Sequence, residues 1–182
     1  SPGQIGCALS HIKVYKIFLE TSFKIALILE DDAIFIGNFR NNLEKFIIKN
    51  FKFKKQITLL SELKEFYHKP ISKMQKFELV DVTNAFFTHA YFINRDAAES
   101  IISFNYPVKT IADNFVFFKI YCGIKITGLN PFIVDQDNVN HKTTIHVKKS
   151  NLKKKFLFKK KLFKVKIMIM KFFLEFKSHN IK

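Results

Sequence analysis

Residues 26–33, ALILEDDA, end a short apolar run in three consecutive carboxylates, Glu30, Asp31 and Asp32. Hard oxygen donors of this kind suit Mg²⁺ or Mn²⁺, which keeps several waters and bridges to substrate phosphates. The run Ile25–Leu29 is continuously apolar, which predicts a strand buried on both faces in a parallel sheet. Open α/β sheets bind ligands beyond the carboxyl ends of such strands. An acidic triplet also occurs in a merely solvated turn. Here the nearest basic residues in sequence are Lys24 and Arg40, so the three charges repel one another and a bound cation relieves the repulsion.

A second pair with chemical potential is Cys7 and His11, four apart on a predicted helix. The spacing makes a Cys–His nucleophile conceivable, although no third, orienting group is evident nearby. The chain's two cysteines, Cys7 and Cys122, do not form a disulfide framework, which fits a reducing cytoplasm. Each also reads as a small buried hydrophobe.

The elements that must position these groups follow from periodicity. Ser1-Pro2-Gly3-Gln4 has the form of a capping box, and Ile5, Ala8, Leu9, Ile12, Phe18 and Leu19 recur at helical spacing behind it. A helix followed by a strand sets an α/β register. Phe39–Ile48 reads as an amphipathic helix with Leu43, Phe46 and Ile47 inward, and Gln56–Leu60 as a strand. Residues 61–77 are polar, helix-prone and broken by Pro70. Strands follow at Glu78–Val82 and Phe86–Ile93, then a helix from Asp96, its N-cap, to about Phe104. Ile111–Tyr121 reads as a helix and Lys125–Thr127 as a short strand. The five glycines form no phosphate-cradling pattern, which disfavours kinases and dinucleotide enzymes.

The segments SPGQIGCALSHIKVYKIFLE…ALILEDDA, THAYFINRDAAESII (Thr88–Ile102) and NPFIVDQDNVNHKTTI (Asn130–Ile145) together resemble glycosyltransferase family 25, the lipooligosaccharide (LPS) biosynthesis glycosyltransferases. The likeness covers roughly residues 1–146. It implies a GT-A-like, Rossmann-like α/β nucleotide-sugar transferase fold. It implies transfer of a hexose, galactose from UDP-galactose, to a lipooligosaccharide core acceptor, with Mn²⁺ or Mg²⁺ and inversion of configuration. With no initiator Met and a helix cap at its start, the chain reads as lacking the first strand and helix of that fold.

The resemblance also implies roles. Glu30, Asp31 and Asp32 match the acidic, DxD-like element, with Asp32 the first choice as metal ligand and Glu30 or Asp31 assisting. Thr88, His89, Ala90 and Tyr91 match the second motif; His89 is either a sugar-binding group or a satisfied core residue, and Tyr91 reads as packing. Asp113 falls where the family shows a Pro–Ile/Val–Asp pattern, from which Thr110-Ile111-Ala112-Asp113 departs. It is either the base for the acceptor hydroxyl or a helix N-cap. Gln136 and Asp137 match a late donor-binding element, and His141 or His146 is a metal-ligand candidate.

Charge divides the chain. Residues 148–182 carry +12, with 13 Lys against Glu175, whereas residues 1–147 carry only +4. The expected organisation is therefore a transferase domain over 1–147 and a basic, partly amphipathic helical tail over 148–182. The tail reads either as an interfacial segment drawn to anionic lipid or as a solvated extension. With only two arginines, Arg40 and Arg95, nucleic acid is disfavoured as a partner. The expected location is cytoplasmic and peripheral at the inner membrane. The competing reading is a catalytically inactive remnant that binds membrane or a partner through its tail.

Overall fold

The computed structural model describes residues 1–36 and 41–137. Helix α1 (Pro2–Glu20) opens on the predicted capping box: Ser1 Oγ accepts from the Gln4 N–H and the Gln4 side chain accepts from the Ser1 amino group. Ala8, His11, Ile12, Tyr15 and Phe18 form its buried face. Strand β1 (Ile25–Leu29) follows, then β2 (Ala33–Phe35), α2 (Asn41–Lys49), β3 (Gln56–Leu59), β4 (Glu65–Phe66), β5 (Ser72–Met74) and β6 (Phe77–Asn84). After these come β7 (Ala90–Asn94), α3 (Arg95–Asn105), α4 (Phe115–Tyr121), β8 (Lys125–Asn130) and β9 (Val134–Gln136).

Among the described residues, seven strands form a mixed sheet in the order β1-β7-β3-β8-β6-β4, with β5 also on β6. Only β3 and β8 run parallel; the other pairs are antiparallel. β2 and β9 form a separate antiparallel ribbon with Ala33 opposite Gln136. The architecture is a mixed α/β fold.

Apolar side chains fill both faces of the sheet. One core joins Tyr15 and Phe18 of α1, Ala98 and Ile101 of α3 and Phe115 and Phe118 of α4 to Ile28, Ile57, Tyr91, Ile93 and Ile126. The other joins Leu43, Phe46 and Ile47 of α2 to Leu79, Ala90, Phe92 and Leu129. β7 alternates between the two, with Tyr91 and Ile93 in the first core and Ala90 and Phe92 in the second.

Two polar residues tie this frame at the α1–β1 connection and the start of α3. Arg95 donates from Nη2 to Leu19 O at 2.7 Å and from Nη1 to Thr21 O at 2.7 Å, satisfying carbonyls at the end of α1. Asn94 Oδ1 caps α3 through the Ala97 N–H and also accepts from the Gln56 N–H.

Several expectations are corrected. Among the described residues β1 is an antiparallel edge strand rather than a parallel one buried on both faces: of its five residues only Ile28 is buried, and Leu29 is 47% exposed. The strand that serves two cores is its neighbour, β7. Residues 61–77 are not helical; β4 and β5 pair with β6, which holds them extended. The N-cap of α3 is Asn94 rather than Asp96. The last described helix begins at Phe115, capped by Asn114, because Asp113 sits in the preceding turn. The strand expected from Phe86 begins at Ala90.

Candidate active site

The acidic triplet forms the turn between β1 and β2, closed by an Ala33 N–H to Glu30 O bond. The turn is pinned from below, because the Glu30 N–H donates to His89 O at 2.9 Å. The three carboxylates then part. Glu30 and Asp32 turn inward, with side chains 23% and 15% exposed, while Asp31 is exposed.

Glu30 is the centre of a polar cluster. Oε1 accepts from Thr88 Oγ1 at 2.5 Å and lies 3.1 Å from His11 Nε2, and Oε2 lies 3.2 Å from His89 Nδ1. Burial alone would raise its pKa, but hydrogen bonds from His11, His89 and Thr88 outweigh that and hold the carboxyl well below the usual range. For His89, burial disfavours the charged form, yet the Glu30 bond and the charges of Glu30, Asp32 and Asp135 win and raise its pKa.

Asp32 is held differently. Its Oδ2 accepts from Gln136 Nε2 at 2.7 Å and its backbone O accepts from the Asp137 N–H at 2.9 Å, both across the β2–β9 ribbon. Its Oδ1 is buried, accepts no hydrogen bond among the described residues, and lies 3.5 Å from His89 Nδ1. Ligand atoms of Glu30, Asp32 and His89 lie within 4.8 Å of one another. Two carboxylates and an imidazole around an unsatisfied buried oxygen fit a divalent cation such as Mn²⁺.

Asp113 approaches from the turn before α4. Burial raises its pKa, offset in part by its own backbone N–H and that of Phe87. It lies near enough that its charge, after burial and Glu30, helps push the Cys7 thiol up to about 11.

A model of glycosyltransferase family 25 (LPS biosynthesis protein) matches residues 1–116. The chain belongs to glycosyltransferase family 25. No curated protein sequence matches it. Family 25 membership makes it a glycosyltransferase of lipopolysaccharide biosynthesis, an enzyme with a nucleotide-sugar donor and an oligosaccharide acceptor. The match contains Cys7, His11, the acidic turn, Thr88, His89 and Asp113, and it ends before Gln136 and Asp137.

The fold of this family 25 chain thus brings together Glu30, Asp32, His89 and Gln136, places Asp137 beside them through its backbone, and sets Asp113 within electrostatic reach. Asp31 stands outside the cluster. His141 and His146 lie outside the described residues, as does the basic tail. No helix among the described residues is long and apolar enough to cross a membrane.

Three residues do more than the sequence indicated. Tyr91 is fully buried, but its hydroxyl bonds His11 Nδ1 at 2.7 Å and also Tyr15 Oη, so it orients an imidazole as well as packing. His11 has the third group that the sequence does not reveal, Glu30. The raised thiol pKa nevertheless argues against Cys7 as a nucleophile. Phe87 has φ +75°, rare for a bulky residue, and its ring stacks on His89 at 5.2 Å and 18°. For His11 the signal is its four-residue spacing from Cys7; for Phe87 no local sequence signal marks the strain.

Proposed function

We propose that this glycosyltransferase transfers galactose from UDP-galactose to a lipooligosaccharide core acceptor, with Mn²⁺ or Mg²⁺ held by Asp32, Glu30 and His89 and with inversion at the anomeric carbon. The observation that carries the reading is Asp32 Oδ1, a buried carboxylate oxygen with no hydrogen bond, facing an imidazole and a second carboxylate. A divalent cation there supplies Lewis-acid charge to the departing nucleoside diphosphate.

The chain's own residues do the rest. Gln136 fixes the Asp32 carboxylate by holding Oδ2, which leaves Oδ1 turned toward His89. Glu30 Oε2 orients His89 by accepting a hydrogen bond from Nδ1, whose proton this nitrogen would give up to hold the ion, and Oε1 anchors the turn through Thr88. Asp113 lies apart from these three and has a carboxyl of raised proton affinity. That is the property wanted in a base that takes the proton of an acceptor hydroxyl. Gln136 and Asp137 line the donor side of the turn in this reading, and the mixed sheet with its separate two-stranded ribbon is compatible with a GT-A-like arrangement.

The same proposal places the enzyme at the cytoplasmic face of the inner membrane, where the lysine-rich residues 148–182 meet anionic lipid. It assigns no nucleic-acid partner.

The test is a panel of UDP-sugars, with and without lipooligosaccharide acceptor, in EDTA and after Mn²⁺ is restored. UDP-galactose should release UDP fastest, only with the ion, and faster still with acceptor. Preference for another sugar overturns the donor assignment, and full turnover in EDTA overturns the metal. A product of retained configuration overturns the role of Asp113.

A further inference from the structure

Cys7 and His11 leave one face of α1 a turn apart. Glu30 Oε1 meets them from the β1–β2 turn, 3.1 Å from His11 Nε2 and 4.0 Å from Cys7 Sγ. The three donor atoms lie within 4.8 Å of one another. In a tetrahedral zinc site, bonds of about 2.0–2.3 Å set neighbouring ligand atoms roughly 3.3–3.6 Å apart. The observed separations lie on either side of that edge, so small side-chain shifts let one ion touch all three.

Three further features point the same way. His11 Nδ1 is 2.7 Å from the buried Tyr91 hydroxyl, the kind of partner that fixes the ring of a metal-binding histidine. The Glu30 carboxylate also brings its negative charge within 4.0 Å of the Cys7 sulfur, a setting that suits a dication. The oxygens of Glu30 also divide: Oε1 faces Cys7, His11 and Thr88, and Oε2 faces His89. A carboxylate so placed serves two ions without choosing between them.

We propose that Cys7, His11 and Glu30 Oε1 form a second cation site that takes Zn²⁺, separate from the Asp32 and His89 side of Glu30. Sulfur decides the preference, because thiolate with imidazole selects zinc over magnesium or manganese. Binding releases the Cys7 proton to solvent as the sulfur–metal bond forms. The site stands on its own geometry; only its neighbour depends on the transferase reading above.

Co²⁺ is the spectroscopic probe, added to the untagged, metal-stripped full chain. One equivalent should give a sulfur-to-cobalt charge-transfer band that Zn²⁺ abolishes and excess Mn²⁺ leaves. Cys7→Ser should lose the band and Cys122→Ser should keep it. In the unmutated chain, Zn²⁺ should slow alkylation of Cys7 about tenfold or more, with Cys122 as the internal reference. That measurement stands even where Cys7→Ser folds poorly. Absence of the band, its survival in Cys7→Ser, or alkylation of Cys7 unaffected by Zn²⁺ overturns the proposal. None of these readouts requires sugar transfer, so a failed zinc site and a failed transferase reading remain distinguishable.

Discussion

Gln136 Nε2 donates to Asp32 Oδ2 at 2.7 Å across 104 positions of sequence. The bond occupies one carboxylate oxygen and leaves the other, buried, beside His89. The β2–β9 ribbon therefore acts as an orienting device for one carboxylate. Asp32→Asn should keep the fold, because the lost attraction to His89 is offset by relief of repulsion from Glu30, and should abolish Mn²⁺-dependent donor turnover. Gln136→Ala should weaken Mn²⁺ affinity by roughly 10–100-fold while kcat at saturating ion changes much less. Metal titrations of UDP release check both; near-parental turnover in Asp32→Asn removes that residue from the metal site.

Asp113→Asn should lower kcat by about 10²–10⁴-fold with little effect on UDP affinity. It should also stabilise the metal-free chain at neutral pH. Burial raises the folded-state pKa of Asp113 above its ordinary value of 3.8. Its contribution to stability is therefore fully present below that value and is lost as pH rises through the folded-state pKa. The variant cannot ionise, so its advantage should appear in melts at pH 7 and vanish in acid. Equal losses in kcat and UDP affinity would mark Asp113 as a donor contact.

Glu30 has the opposite sign. Its folded-state pKa is lowered from an ordinary 4.5, so its contribution is present above that value and lost as pH falls toward the folded-state pKa. Glu30→Gln should cost about 2 kcal/mol at pH 7, the scale of hydrogen bonds to a buried charge. The difference from the parent should narrow below pH 4.5. Denaturant melts of the metal-free chain across this range provide the check, and a gap independent of pH would mean that neutral packing dominates.

Phe87 combines backbone strain with a ring stacked on His89. Phe87→Gly relieves strain of about 1–2 kcal/mol and forfeits a stacking contact of similar size, so net stability should stay within about 1 kcal/mol of the parent. Turnover should nonetheless fall, because the imidazole loses the surface against which it is set. Unchanged kcat with a raised melting temperature would make the ring a bystander.

Much of the frame was legible because it rests on local rules. The capping box at Ser1, the inward face of α2 and the strand beginning at Gln56 follow from spacing alone. The end of the apolar run at the acidic triplet was legible in the sequence, but the different settings of its three carboxylates were not. Asp31 and Asp32 are adjacent and chemically alike; only the later ribbon partner Gln136 distinguishes them. A five-residue apolar run such as Ile25–Leu29 satisfies a buried parallel strand and a half-covered edge strand equally, and the choice is made by β7 and α1. The extended conformation of residues 65–66 and 72–74 likewise comes from pairing with β6, which overrides their local polarity.

β7 gives alternate side chains to the two cores, and His89 immediately precedes it. A slip of one residue would exchange Tyr91 and Ile93 with Ala90 and Phe92, carrying the tyrosine hydroxyl away from His11 and disturbing both cores at once. The imidazole that faces Asp32 is therefore registered by a strand that both cores hold in place. The amides of β7 should be among the slowest to exchange with deuterated solvent, and their opening should require the whole domain to unfold. Substitutions far from the acidic turn that lower global stability will shorten the time the Glu30, Asp32 and His89 cluster spends assembled, without touching any of its members.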